Sequence, residues 1–362
     1  MHRIFHSIGH VVWMTCNLVA VALLLTADLA AVVPPSKIHV PALLAIGFEA
    51  LALLNVVFAV SWLFSSRKSW CLVSVLALLL SLPGLRATFS TTLHPAPAGE
   101  RSLTVLTYNT HLLQNNTPVG DNELLRYVLE SGADIVCMQE YAVYKDAQYP
   151  TFQRVKNMLT GVYPYTYFDF SVHNQRLQYG LAVYSKYPLT HKTTIPINAT
   201  GNGANYCDVL IPDGGSTFTV RLFNNHLQSN SILPSEIDSL LSTSAQRKNF
   251  TTVNTKLSTK LAQRAEQVTV IREAIEASPY PVIVCGDFND VPASYTYHHL
   301  SRGLKDAFLS TSLLRTGHTY VMHGLGIRID YILHSSKMNA TDFRIDRVPY
   351  SDHYPVCATF TW

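Results

Sequence analysis

Side chains that could perform acid–base chemistry or bind a hard cation follow the apolar segment that begins at Val282. Gly286 comes after four apolar residues, and Asp287 and Asn289 lie two residues apart just beyond it. The apolar run predicts a strand buried on both faces, and a glycine permits a sharp turn at its end. Side chains two apart in extended chain point the same way, so the strand would bring a carboxylate and a carboxamide together. An Asx-turn that closes the strand is the alternative.

Similar polar groups follow, interrupt or precede other strand-like segments. They are Asn109, Gln139 and Glu140, Asn224 to His226, Asp330, and Ser351 to His353. Taken singly, each has an ordinary explanation as a turn residue, a solvated carboxylate or a hydrogen-bonded core histidine. Strand ends in a layered α/β protein meet at one rim, however, and carboxylates, amides and histidines gathered there indicate a hard-cation site with acid–base groups.

The elements that would position these groups alternate strand-like segments with fewer helices. Helices are predicted from Asn122 to Ser131 and from Thr259 to Ala277, and the stretch from Ser229 to Ser258 is predicted to be a long surface segment. An α/β (α+β) pattern in which strands outnumber helices favours two packed sheets flanked by helices. The predicted strands are Leu103–Tyr108, Ile135–Met138, Gly180–Tyr184, Phe218–Phe223, Val282–Cys285, Ile329–Leu333 and Val356–Phe360.

Six short motifs occur in a fixed order along this part of the chain: Tyr108-Asn109, Met138-Gln139-Glu140, Asn225-His226, Gly286-Asp287-Phe288-Asn289, Arg328-Ile329-Asp330-Tyr331 and Ser351-Asp352-His353. This set resembles the endonuclease/exonuclease/phosphatase superfamily, which includes deoxyribonuclease I, and the resemblance covers Leu103 to Trp362. It implies a four-layer α/β sandwich of two mixed sheets and the Mg²⁺-dependent hydrolysis of phosphate esters, with Mn²⁺ as the alternative ion. His111 departs from the pattern, because some nuclease members carry an aspartate there, and this places a nuclease-like second metal in doubt.

Metal-binding residues follow from the resemblance and from the preference of Mg²⁺ for carboxylate oxygen. Glu140 and Asp352 are the predicted ligands, with Asn109 beside them. A metal held there would neutralise charge on the phosphoryl oxygens.

Catalytic roles follow in the same way for five further residues. The resemblance implies that Asp330 orients His353, which transfers a proton or stabilises the phosphoryl oxygens. Asp287 would position the attacking water. Asn289 and His226 would donate hydrogen bonds to the phosphate, where charge develops during the reaction.

The residues before this domain are strongly apolar. Runs at Val11–Val33, Pro41–Phe64 and Trp70–Leu85 each approach the ~20 residues that cross a bilayer, so residues 1–87 are predicted to form three transmembrane helices. Glu49 lies within the second run and is predicted to face the helix bundle.

Basic residues near the predicted helix ends indicate the orientation of this region. Arg3, Arg67 and Lys68 would share one side, against Lys37 and Arg86 on the other. The majority favours a cytoplasmic N-terminus, which places the later domain outside the cytoplasm in a multi-pass integral membrane protein. Residues 88–101, rich in Thr, Pro and Ala, are predicted to be a linker to the catalytic domain at 102–362.

Charge and tethering bear on the substrate. The chain has 27 lysines and arginines and 24 acidic residues, and the part after Thr88 contains 22 of each. Because a nuclease that grips duplex DNA usually presents a basic face, this balance disfavours nucleic acid. A short tether keeps the site near the bilayer, which favours a phospholipid-type or small phosphoester. The alternatives are a metal-dependent nuclease and a catalytically silent, membrane-anchored binding protein; no protein partner is implied.

Overall fold

The computed structural model describes residues 2–92, 101–113, 122–198, 201–230, 246–313, 316–322 and 324–362. Helices within these ranges are His2–Asp28, Val40–Ala45, Phe48–Leu63, Cys71–Leu80, Leu82–Thr88, Glu123–Glu130, Phe152–Thr160, Gln246–Glu276, Tyr295–Leu300 and Ala307–Thr311. Strands are β1 (Ser102–Asn109), β2 (Ile135–Tyr144), β3 (Tyr165–His173), β4 (Leu177–Ser185), β5 (Leu189–Ile195), β6 (Gly203–Asp213), β7 (Ser216–His226), β8 (Val282–Asp287), β9 (Lys305–Asp306), β10 (Tyr320–Met322), β11 (Leu325–Ile327), β12 (Asp330–His334), β13 (Asn339–Ile345) and β14 (Val356–Thr361).

Two six-stranded mixed sheets form the centre of the domain. Their strand orders are β13-β14-β1-β2-β4-β3 and β5-β6-β7-β8-β12-β9, and β10 pairs with β11 in a separate hairpin. Each six-stranded sheet contains one parallel pair, β1 with β2 in the first and β7 with β8 in the second, and its other pairs are antiparallel. The two parallel pairs therefore place the carboxyl ends of four strands where the sheets can share a site.

The layers follow from which side chains are buried together. Residues such as Val105 and Cys137 of the first sheet pack against Leu222 and Ile332 of the second. The outer face of the first sheet is covered by the helices Glu123–Glu130 and Phe152–Thr160, and that of the second by Gln246–Glu276 and Tyr295–Leu300. The predicted pair of packed mixed sheets with flanking helices is confirmed, and each of the seven predicted strands overlaps an observed one.

The long helix Gln246–Glu276 begins earlier than the sequence predicted. The prediction of a long surface segment without regular structure from Ser229 to Ser258 is wrong at residues 246–258, which are helical. Residues 231–245 of that segment lie outside the described residues. Threonine, serine and asparagine are weak helix formers, so local propensity predicted a loop. Burial of Val253 and Leu261 against the domain accompanies the helix, since packing stabilises helices more than propensity does.

The prediction of three transmembrane helices is wrong. Among the described residues, one helix, Gly9–Ala31, is long and apolar enough to cross a membrane by itself. Helix Phe48–Leu63 has 16 residues, fewer than the ~20 that a span needs. The helices Lys68–Leu80 and Leu82–Thr88 pass the same test only as a pair, and they are bent by 63°.

Local breaks explain this difference. The second apolar run is divided by a turn at Ile46 and Gly47, where Gly47 leaves helical geometry with φ −96° and ψ 14°. Pro83 lies in the first turn of the helix Leu82–Thr88, where its missing N–H is tolerated. Inside one continuous helix, the same proline would remove a backbone hydrogen bond. Hydropathy counts apolar residues and does not register these turns.

The start of the predicted linker packs against the two-sheet domain. Ser90 is buried and its Oγ donates to the carbonyl of Leu309 at 3.2 Å, while Thr91 forms a β-bridge with Leu313. Residues 93–100 of the predicted linker lie outside the described residues.

Candidate active site

The polar residues predicted from the sequence meet where the central strands of both sheets end. Asn109 ends β1 and Glu140 lies within β2, whereas His226 and Asp287 end the parallel strands β7 and β8 opposite each other. Asp330 begins β12, which runs antiparallel to β8, so it lies directly opposite Asp287. Chain direction therefore brings side chains from both sheets to one rim.

Gly286 permits this arrangement at the end of β8. Its φ of +128° lies in a region that favours glycine, and a Cβ at this position would overlap the backbone carbonyl of Asn225 on the neighbouring strand. The close approach of β8 to β7 sets the position of Asp287 beside His226. Glycine is required here for both backbone angle and space.

Gly286→Ala is expected to lower the free energy of unfolding by at least about 3 kcal/mol, because it adds backbone strain and a clash with another strand. Gly303→Ala is the matched control, since Gly303 also has a positive φ, +73°, but no atom lies within 4 Å of the position that an added Cβ would take. The control should lose only about 1 kcal/mol. Urea unfolding of both variants makes the comparison, and equal losses would contradict the role given to the β7–β8 contact.

Asp287 accepts three hydrogen bonds from two other residues of the site. Its carboxylate accepts from Asn109 Nδ2 at 3.0 Å, from the backbone N–H of Asn289 at 2.8 Å and from Asn289 Nδ2 at 3.1 Å. The side chain is buried, and burial raises the pKa of this carboxyl above its usual range despite the opposing effects of the His353 and His226 imidazoles. A buried carboxylate with these partners is held in a fixed orientation.

Glu140 and Asn289 both adopt backbone angles in the left-handed region, with φ 49° and φ 52°. Glu140 lies where the register of β2 against β4 shifts between Met138 and Tyr141. A bulge of this kind redirects a side chain, and here it places Glu140 Oε1 3.3 Å from Asn109 Nδ2 and 3.7 Å from His226 Nε2. Backbone strain at both positions is typical of a functional site.

His353 and Asp330 form a buried pair. His353 Nδ1 lies 2.9 Å from Asp330 Oδ2, and its Nε2 lies 3.7 Å from Asp287 Oδ2. Burial opposes the charged imidazolium, but the carboxylates of Asp330 and Asp287 outweigh it and raise the pKa of His353 to about 10. The ring is thus fixed through Nδ1 and presents Nε2 to Asp287.

Asp352 also lines the site and is less buried than Asp287. Its Oδ1 pairs with His111 Nδ1 at 3.1 Å. Burial raises the pKa of Asp352, but the hydrogen bond with His111 and the charge of His353 outweigh burial and hold that pKa below its usual range. His111, noted as a departure in the sequence, therefore acts as a partner of the predicted metal ligand.

A cavity of about 190 Å³ connects these groups. It is lined by Ile46, Glu140, Ser229, Asn230, Asp287, Asn289, Asp290, Val291, Tyr320, Ile327, Ile329, Asp352 and His353. The described lining therefore contains four carboxylates and neither lysine nor arginine. All eight predicted site residues are either in this lining or in contact with a residue of it.

The donor set fits a divalent cation. Oxygen ligands from carboxylates suit Mg²⁺ and Mn²⁺, and one buried oxygen, Asp330 Oδ1, has no hydrogen-bond partner among the described residues. Ligand atoms of Asp287, Asp330 and His353 lie within 4.8 Å of one another and form a second candidate set. Glu140 and Asp352 remain our predicted ligands, and the set that includes His353, which would have to be neutral to bind a metal, is the alternative.

Several residues of the site were not predicted from the sequence. Tyr320 lies in the short hairpin β10–β11, bridges to His353 and places its ring 4.8 Å from the imidazole. Arg264 is buried and pairs with Asp290 at 3.0 Å, which ties the loop after β8 to the long helix. No periodicity marks these residues, and the three-residue strand that carries Tyr320 is too short to be recognised.

Comparison with known protein families identifies the family of this chain. The profile of the Endonuclease/Exonuclease/phosphatase family matches residues 106–353, more than half of the sequence. The chain belongs to the endonuclease/exonuclease/phosphatase family. Its fold is that of phosphoesterases of this family, and the predicted membership is confirmed.

Solved structures of the endonuclease/exonuclease/phosphatase fold agree. A family protein from Beutenbergia cavernae DSM 12333 is 17% identical, with a TM-score of 0.54 and coverage of 72% of each chain. A family protein from Leptotrichia buccalis C-1013-b is 15% identical, with a TM-score of 0.50 over 72% of this chain and all of that one. At these identities the likeness shows the fold alone.

The N-terminal helices match a second family model. Residues 9–88 match the family described as Domain of unknown function (DUF8431). A comparison with curated proteins gives no match.

Proposed function

We propose that this member of the endonuclease/exonuclease/phosphatase family is a metal-dependent phosphoric ester hydrolase anchored to a membrane. The proposal is carried by the placement of Glu140, Asp287 and Asp352 on one cavity that His353 also lines. Acid–base groups and hard-cation ligands within reach of one reacting centre are what phosphate ester hydrolysis needs.

The reaction begins with water held beside Asp287, which accepts one of its protons. The water oxygen forms a bond to phosphorus while the ester P–O bond breaks, and the departing oxygen takes up a proton to leave as an alcohol. His353 is charged and fixed by Asp330, so its Nε2–H stabilises the phosphoryl oxygens or supplies that proton.

Two neighbouring side chains donate hydrogen bonds to the phosphate. Burial lowers the pKa of His226, so its imidazole is neutral and keeps one N–H donor. Asn289 Nδ2 donates both of its hydrogens, one to Asp287 and one to the Leu227 carbonyl, which fixes its amide at the cavity. It would exchange one of these bonds to donate to the phosphate, where developing charge strengthens the new hydrogen bond.

A divalent cation would be held by Glu140 and Asp352, with Asn109 beside them. When bound, it supplies charge neutralisation for the phosphoryl oxygens. Mg²⁺ is our first choice and Mn²⁺ the second. Nucleic acid is the less favoured substrate, since the described cavity lining presents no lysine or arginine for a phosphate backbone.

Membrane anchoring rests on the distribution of polarity in the N-terminal helices. Asn17 is buried, donates to Ser74 at 2.6 Å and accepts from Trp62 Nε1 at 2.9 Å. Large apolar side chains lie on the outside, among them Leu53 at 64% and Phe64 at 87% exposure. Polar contacts inside and apolar side chains outside are typical of helices packed in lipid.

The test uses the full chain from membranes. We expect the chain to stay in the membrane fraction after alkaline carbonate washing and, in detergent, to hydrolyse bis(p-nitrophenyl) phosphate only with added Mg²⁺ or Mn²⁺. Glu140→Gln and Asp352→Asn should each raise the Mg²⁺ concentration for half-maximal rate at least about tenfold, because each removes a ligand charge. Glu130→Gln, on the exposed end of a surface helix, is the matched control and should not.

Each element of the proposal has its own contrary result. Release by carbonate would refute anchoring, and full activity in chelator would refute metal dependence. An unchanged Mg²⁺ requirement in both carboxylate variants would refute the ligand assignment.

A further inference from the structure

One wall of the catalytic cavity comes from the N-terminal helical region. Ile46 lies in the turn between the helices Val40–Ala45 and Phe48–Leu63, yet it lines the same cavity as Asp287 and His353. Three other aliphatic side chains, Val291, Ile327 and Ile329, belong to that lining. The lining therefore combines charged side chains with an aliphatic wall of four residues that come from two parts of the chain.

Packing holds this wall in place. Ala45 and Phe48 belong to one buried cluster with Val291 and Ala293, which follow the catalytic turn after β8. These contacts continue into the catalytic domain on both sides of Ile46. The N-terminal region is thus part of the rim and not a separate anchor beside it.

Polar contacts fix the same junction. Glu49 was predicted to face the helix bundle, but its Oε2 lies 3.0 Å from Nε2 of His318, directly before the hairpin that carries Tyr320. Arg328, which is buried, donates to the carbonyl of Ala87 at 2.7 Å. Both contacts join the helices to the segment that leads into Asp330, so the position of the aliphatic wall is coupled to that of the catalytic pair.

The chemistry of the wall selects a substrate class. Aliphatic side chains offer no partner to the hydroxyl groups of a sugar or to the edge of a base, which would be left without hydrogen bonds. They do accept an alkyl or acyl chain. Exposed apolar residues of the helical region, Ile38 and Val40, at 55% and 48% exposure, precede Ile46 by eight and six residues along the chain, and they offer an apolar approach to it.

We propose that the N-terminal helical region binds the apolar part of the substrate, and that the substrate is a phosphoester of a membrane lipid that enters past Ile46. This inference rests on the proposed phosphoesterase function. It adds Ile46 as a specificity-determining residue, outside the residues 106–353 that match the endonuclease/exonuclease/phosphatase family. Ile46 acts by contact with the lipid chain and takes no part in proton transfer.

The experiment compares two substrates on the full chain in detergent or reconstituted vesicles. One is bis(p-nitrophenyl) phosphate, and the other is mixed vesicles of phosphatidylcholine, phosphatidylethanolamine, phosphatidylglycerol and phosphatidic acid, with release of water-soluble phosphate measured. The quantity of interest is the ratio of lipid turnover to soluble diester turnover. Ile46→Asn should lower that ratio about tenfold, the effect of losing one aliphatic contact in a pocket.

Two further variants make the result specific. Ile46→Leu keeps an aliphatic side chain and should retain most of the ratio, and Val162→Asn, at an exposed apolar position of the later domain outside the cavity lining, should leave it unchanged. An equal loss for Val162→Asn, or an unchanged ratio for Ile46→Asn, would overturn the inference.

Wild-type protein separates this inference from the proposed function. Hydrolysis of the soluble diester without release from any vesicle lipid would overturn the lipid inference and leave the phosphoesterase proposal standing. Hydrolysis of neither substrate would refute both.

Discussion

Asp287→Asn is expected to lower kcat about 10³-fold while the protein remains folded. An amide of the same size cannot accept a proton from water, and one of its two polar atoms would become a donor facing Asn109 or Asn289, which are donors themselves. The measurement is the initial rate of diester hydrolysis at saturating Mg²⁺, with the free energy of unfolding determined on the same preparation.

Asp208→Asn is the matched control for this prediction. Asp208 is equally buried and pairs with Arg221 at 2.7 Å, but it lies outside the cavity lining. It should reduce stability and leave the kcat of the folded protein within about twofold. Comparable losses of kcat in both variants would show that buried carboxylates matter only for folding, and would remove Asp287 from the proposed mechanism.

The second large effect concerns His353 and Asp330 together. His353→Ala should lower kcat by roughly 10²-fold to 10³-fold, and Asp330→Asn by a similar factor, because Asp330 acts by holding the imidazole through Nδ1. The double variant should be no slower than His353→Ala alone, since residues that act as a unit do not give additive losses. A double-mutant cycle on kcat measures this.

A purely structural role is the alternative explanation for an effect of Asp330→Asn, because Asp330 is buried next to Asp287 and its substitution also changes the charge of the core. A merely structural role would lower the free energy of unfolding and leave the rate per folded molecule unchanged. Multiplicative losses of kcat across the cycle would show that the two residues work separately.

Much of the catalytic domain was predictable because its signals are local. Buried strands such as β2 and β8 appear as short apolar runs, and the polar residue that ends each run marks the rim. Since chain direction fixes which strand ends meet, the convergence of Asp287 with His226 followed from the pattern of the sequence. The order of the motifs identified the family, and the family profile confirms it.

The N-terminal region was predicted less well for a physical reason. Hydropathy measured the apolar content of residues 41–64 correctly, but the number of spans depends on a turn at Gly47 and on a bend of 63° near Pro83. The backbone angles at such breaks are set by what the helices pack against. Glu49 shows the same dependence, since its partner His318 lies 269 residues away.

The sequence by itself determined the family, the two-sheet fold and the residues proposed to carry acid–base and metal-binding chemistry, because each is encoded in a short run of neighbours. Tertiary structure alone decided that Ile46 forms a wall of the catalytic cavity, that Tyr320 lies against His353 and that His111 pairs with Asp352. These contacts join segments distant along the chain. Their pairing depends on how whole layers pack and on the volume left between them, which no local pattern of residues records.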